Sequence, residues 1–194
     1  MFRECNLQND QWRSHPLCAS YLVLRLEALH LVAQEAGEAS PVSAWWALGT
    51  LHDGQTEAAG VWLVPTAAEV PLERIFADLS TRGVEHIGFL IGTSGAASVD
   101  DEHPAAGPRH LAASCPRSAL SSAAAECSPR HRRFVRATEA RAEQIQRRLL
   151  RAVRRHGCFS GHDEIIAVLG AALHRAERDI CVPVDDRAVN PLLH

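Results

Sequence analysis

The sequence predicts an α/β domain, a sheet with flanking helices, on three observations. A strand-like apolar run is followed by two more that a turn dipeptide joins. A stripe of helical period then leads into a fourth strand-like run. After a segment without periodicity, two helical patterns close the chain. At 194 residues the chain is long enough for one domain with a proper core and short for two. Its 46% hydrophobic and 22% charged content are ordinary for a globular protein.

Residues 1–19 are polar and lack periodicity, which predicts a loose lead-in. Tyr21-Leu22-Val23-Leu24-Arg25-Leu26 is a compact apolar run suited to a buried strand over 21–26. Val42 to Leu51 and Glu57 to Val64 are two further strands, carrying Trp45, Trp46 and Trp62. Between them, Asp53-Gly54 suits the positive φ angles of a tight hairpin. Pro71 fits the first turn of a helix, and Leu72, Ile75, Phe76 and Leu79 form its apolar stripe up to Gly83. His86 to Ile91 is a short strand stopped by Gly92-Thr93-Ser94-Gly95.

From residue 96 to about 130 the pattern collapses. Pro104, Pro108, Pro116 and the Ser/Ala run at 118–125 leave few large apolar groups to bury, so this segment is expected to be weakly structured. Helical periodicity returns near Phe134, with Ala142, Ile145, Leu149 and Val153 on one stripe and arginines on the remaining faces. A last helix is expected from about 162 to 178, with Ser160 as its N-cap and Asp163 three residues on. The core is therefore expected over residues 20–180, with 181–194 as a tail. There is no internal repeat.

No apolar run is long enough to span a bilayer, and the first residues lack a signal-peptide profile, so the expected location is the cytoplasm, with no membrane partner. The six cysteines are widely spaced without a C-x-x-C pair, and they read as free thiols in that compartment. Net charge is −3, which by itself argues against binding nucleic acid. Its distribution argues the other way. The chain contains no Lys, and ten of its Arg lie between Arg130 and Arg155 against only Glu139 and Glu143, a local charge near +8. Within that helix Arg141, Arg148 and Arg155 share one face, with Arg147, Arg151 and Arg154 beside it. Such a stripe is either a solvated helix face or a surface that neutralises DNA phosphates with little sequence preference.

Two stretches together carry a family resemblance. The first is Leu48-Gly49-Thr50-Leu51-His52-Asp53-Gly54-Gln55-Thr56-Glu57 through Leu63, followed by Arg82-Gly83-Val84-Glu85-His86-Ile87. The second is Glu143-Gln144-Ile145-Gln146-Arg147-Arg148-Leu149, with Gly157-Cys158-Phe159 beginning fourteen residues after the glutamate. They resemble the Mutator-type DDE transposases of bacterial insertion sequences. On pattern alone the strand order fits several α/β folds; the resemblance implies a ribonuclease H-like core, with the family's usual helical insertion largely missing between Ser94 and Glu143. It also implies that the family's N-terminal DNA-binding region is absent.

The resemblance implies a metal site as well. DNA-cutting transposases of this kind hold two Mg²⁺ ions, about 4 Å apart, between three carboxylates, one ion activating the attacking oxygen and the other stabilising the leaving one. Leu26-Glu27-Ala28-Leu29-His30 resembles the family's first-strand motif, with Glu27 where Asp is expected. Thr93-Ser94-Gly95 resembles its Ser-Asp-Gly, with Ser94 in the metal-binding place, and Glu143 matches its Glu. Glu27, Ser94 and Glu143 are thus the expected catalytic positions, with Glu27 and Glu143 the expected metal ligands. Arg141, Arg147, Arg148, Arg151, Arg154 and Arg155 are the expected DNA contacts.

Glu27 moves its carboxylate by about a bond length relative to Asp, and the Ser94 hydroxyl cannot offset a divalent charge. The expectation is therefore a shortened copy that no longer cleaves and joins DNA at transposon ends. The alternative is a non-catalytic remnant that binds double-stranded DNA through the arginine helix, as a monomer or homo-oligomer. Without the resemblance, Glu27 reads as a solvated strand-end carboxylate and Glu143 as a helix-surface glutamate pairing with Arg147. Asp100, Asp101 and Glu102 read as a solvated loop.

Overall fold

The apolar run that opens at Tyr21 becomes a sixteen-residue strand, β1 (Ser20–Glu35), in a computed structural model that describes residues 14–35, 38–66, 72–92, 110–111 and 129–180. β1 is much longer than the 21–26 expected. Past Leu26 its pattern changes from continuous to alternating: Leu29, Leu31 and Ala33 are buried, while His30 and Val32 are exposed. A strand covered on one face only reads that way, and the alternation hides it from a search for apolar runs.

β2 (Glu38–Thr50) and β3 (Thr56–Pro65) follow as the expected hairpin. Gly54 sits in its connection at φ 86°, a conformation that L side chains rarely adopt, and the Asp53 carboxylate accepts the Gln55 N–H at 2.9 Å. α1 (Leu72–Thr81) buries Leu72, Ile75, Phe76 and Leu79, the stripe read from the sequence, and Gly83 at φ 104° turns the chain out of it. β4 (His86–Gly92) then returns parallel to β1. A two-residue strand, β5 (His110–Leu111), pairs parallel to β4. It falls inside the segment expected to be weakly structured, and two residues are too few to show a period.

The sheet order is β3-β2-β1-β4-β5, antiparallel from β3 to β1 and parallel from β1 to β5. α1 covers one face, packing on Tyr21, Leu24, Leu26, Trp45 and Trp62. The other face takes the two long helices, α2 (Pro129–His156) and α3 (His162–Ile180). Ile145 and Leu149 of α2, with Ile165, Leu169 and Leu173 of α3, meet Leu29, Leu31, Trp46 and Leu48 there. The result is a three-layer mixed α/β arrangement.

Gly157 at φ 87° ends α2, its N–H bonding the Val153 carbonyl at 3.0 Å. The expected capping pair at the start of α3 is shifted by one residue. Ser160 bonds Glu164, not Asp163, its N–H and hydroxyl both donating to Oε2 at 2.6 and 2.8 Å. These bonds hold the Glu164 carboxyl below its usual range. Among the described residues, no helix is long and apolar enough to cross a membrane.

Candidate functional site

β1 alternates, so Arg25 and Glu27 point to the same face of the sheet, the one under α2. Neither is solvated: Arg25 is 5% exposed and Glu27 9%. Glu27 is also not at a strand end, since β1 runs eight residues beyond it. The bland reading of Glu27 as a solvated terminal carboxylate therefore fails on both counts.

The carboxylate is held by its neighbour. Arg25 Nε donates to Glu27 Oε1 at 2.7 Å, and Arg25 Nη2 donates to the same oxygen. Arg25 Nη1 reaches Glu139 Oε1 on α2 at 2.5 Å, completing a guanidinium shared by two carboxylates. Glu139 is 7% exposed. Burial pushes its carboxyl up to about 7; the Arg25 guanidinium pulls it down, and the charges of Glu27 and Glu143 push it up again. Next to it, Thr138 Oγ1 and Thr50 Oγ1 hydrogen-bond at 2.7 Å, both fully buried. A polar pocket thus interrupts the apolar interface between β1 and α2.

Sequence reading missed Arg25 and Glu139. The signals were present. An arginine inside the run Leu22-Val23-Leu24-Arg25-Leu26 needs a buried anion. Glu139 falls on the buried stripe of α2 with Val135, Thr138 and Ala142, where a carboxylate needs a cation.

Glu143 lies one helical turn from Glu139 and is exposed. Arg147 Nε donates to the Glu143 backbone carbonyl at 3.3 Å, not to its carboxylate. Ser94 lies outside the described residues, as do Asp100, Asp101 and Glu102. Gly92, the last described residue of β4, pairs with Leu26, so β4 ends at the level of Glu27.

The donor set of this pocket does not fit divalent metal. Mg²⁺ asks for near-octahedral oxygen ligands, and the two buried carboxylates here already hold a monovalent cation between them. A divalent ion would have to share that space with a buried guanidinium or displace it. Among the described residues, no three His, Cys, Asp or Glu side chains are grouped so as to hold a metal ion.

The six arginines named as DNA contacts divide into two sets. Arg141 Nη1 donates to the Gly54 carbonyl at 2.8 Å, tying α2 to the β2–β3 hairpin. Arg148 Nη1 bonds Asp179 Oδ2 on α3 at 2.5 Å. Arg147, Arg151, Arg154 and Arg155 are exposed, at helical spacings i, i+4, i+7 and i+8 that put them on one face. Arg147, Arg151 and Arg154 border a shallow groove of about 470 Å³ with Arg148, Gln144 and Leu150.

The family model of the Mutator family of transposases matches residues 4–100, half of the chain and the span that holds β1 to β4. Glu139, Glu143 and the arginines of α2 lie beyond the matched span. No curated protein matches the chain.

Proposed function

The chain belongs to the Mutator family of transposases, and from that premise we propose that it binds duplex DNA without strand-cutting chemistry of its own. Transposition is what the family suggests. Residues 20–180 form a ribonuclease H-like core, which the β3-β2-β1-β4-β5 order and the helices on both faces support. Glu27, Ser94 and Glu143 descend from the family's three metal-binding positions. The chain cuts no DNA with metal, because the Arg25 guanidinium already lies between the Glu27 and Glu139 carboxylates.

One observation carries the binding role: four exposed guanidinium groups, Arg147, Arg151, Arg154 and Arg155, on one face of a single rigid helix. Their spacing lets them follow a phosphate backbone, and Arg148 stands beside them. Contacts of this kind position a protein on DNA without reading bases. Four neutralised phosphates give a log–log salt slope of about −3.6.

The test is DNA affinity measured against salt concentration for duplexes of unrelated sequence. The expected result is equal affinity for all of them and a slope near that value. Replacing Arg151, Arg154 and Arg155 with Gln should flatten the slope to about −1. Salt-insensitive binding, or binding untouched by the triple change, would remove the role from this helix. A strand-transfer assay with Mg²⁺ or Mn²⁺ is expected to show no joined product.

A further inference from the structure

We propose that the Arg25 guanidinium is the resident cation of the pocket between Glu27 and Glu139, and that it excludes divalent metal from it. The proposal concerns this pocket alone and stands whether or not α2 binds DNA.

The geometry begins with strand period. Residues 25 and 27 share a face, and their separation suits an arginine folding back along its own strand onto a carboxylate two residues on. α2 then lays Glu139 across the remaining nitrogen. All three guanidinium nitrogens are used, in a planar fork whose directions match two acceptors on opposite sides. Lysine would supply the charge but not the fork.

Burial makes the arrangement exclusive. Arg25 is 5% exposed, and its side chain donates to these two carboxylates. A divalent ion that took them would strand an unpaired guanidinium inside the protein, a strongly unfavourable state. Sharing the pocket would set like charges within a few ångströms in a medium of low dielectric. Either route opposes metal entry. The nearby Thr50 and Thr138 hydroxyls do not replace them, because a neutral hydroxyl cannot offset a divalent charge.

The experiment uses the full chain and reads metal binding by thermal stability and by Mn²⁺ titration calorimetry. The wild-type protein is expected to show no saturable Tm change with Mg²⁺ or Mn²⁺ and no binding heat that depends on Glu27. Arg25→Met keeps the length of the stem and removes the charge, leaving Glu27 and Glu139 facing each other with Glu143 one turn away. This variant is expected to gain about 3–6 °C in Tm at a metal concentration about ten times its dissociation constant. Adding Glu27→Gln to it should abolish the gain.

Saturable wild-type binding that disappears in Glu27→Gln would overturn the proposal, as would a folded Arg25→Met protein that ignores metal. Wild-type binding that persists in Glu27→Gln lies elsewhere and leaves the pocket as proposed. If Arg25→Met is unfolded without metal, refolding on addition of Mn²⁺ supports the proposal, and failure to refold overturns it.

Discussion

α2 carries two kinds of charge along one axis. Towards its N-terminal half, Glu139 faces the sheet at 7% exposure and meets the buried Arg25. Towards its C-terminal end, Arg147, Arg151, Arg154 and Arg155 stand in solvent. The difference is one of desolvation. A guanidinium stripped of water must be matched in place by carboxylates, so its geometry is committed to the fold. An exposed guanidinium keeps its hydration and its rotamers, so it stays available to an incoming phosphate. The same chemical group is structural in one region and available for binding in the other.

The largest effect is expected where that commitment is broken. Arg25→Ala leaves Glu27 and Glu139 buried without a cation and should cost about 3–5 kcal/mol in urea-induced unfolding. A loss below about 1 kcal/mol, in the range of exposed pairs, would erase the contrast between the two regions.

A pH experiment sharpens it. Burial raises the Glu139 carboxyl from its ordinary 4.5 to about 7. The folded state therefore holds this proton more tightly than the unfolded chain. The contribution is fully present below about pH 4.5 and is lost as pH rises through about 7. The groups facing it are Arg25 and Glu27 on β1 and Glu143 on α2. Glu139→Gln should remove this part of the pH dependence, a difference on the order of 2 kcal/mol between pH 4.5 and 8. The comparison is of slopes, because the substitution also changes the absolute level. Parallel wild-type and variant curves over that window would show that Glu139 is not held this way.

The sheet was legible in the sequence wherever apolar residues run together or a turn is spelled out. β2, β3 and their Asp53-Gly54 connection come from local pattern, as does the Leu72, Ile75, Phe76, Leu79 stripe of α1. The second half of β1 was hidden because Glu27, His30 and Gln34 break the run, although alternation is what a one-sided strand requires. β5 is too short to carry a period. The pocket was legible only at Glu27. Arg25 and Glu139 are 114 positions apart, and each looked like a polar interruption until the fold set them against each other. The division of the arginines was equally hidden: helical spacing groups Arg141 and Arg148 with Arg155, but only the hairpin and α3 reveal which of them are engaged.

Arg148 tests the middle of the range. Its pair with Asp179 is half-exposed, with side-chain exposures of 35% and 63%, so water screens most of the attraction. Arg148→Ala should cost less than about 1 kcal/mol, mostly through lost packing of its stem. If the cost approaches that of Arg25→Ala, the α2–α3 contact is a second committed site, and the helix is not divided as described.

The smallest stability change is expected from the exposed set, and it gives the sharpest form of the comparison. Arg151, Arg154 and Arg155 project from the last turns of α2, where positive charge also suits the carbonyl end of the helix. Replacing all three with Gln removes that dipole interaction and some mutual repulsion, two small effects of opposite sign. The net change should stay within about 0.5 kcal/mol per site. DNA affinity at low salt should nevertheless fall uniformly across sequences, because each lost phosphate contact removes a released counterion. Arg25→Met should do the reverse where it folds, altering stability while leaving the salt slope of DNA binding unchanged. Measuring both quantities on both variants separates the two roles. A triple change that unfolded the protein would assign the exposed arginines to the fold, and the division of α2 into a committed half and an available half would be lost.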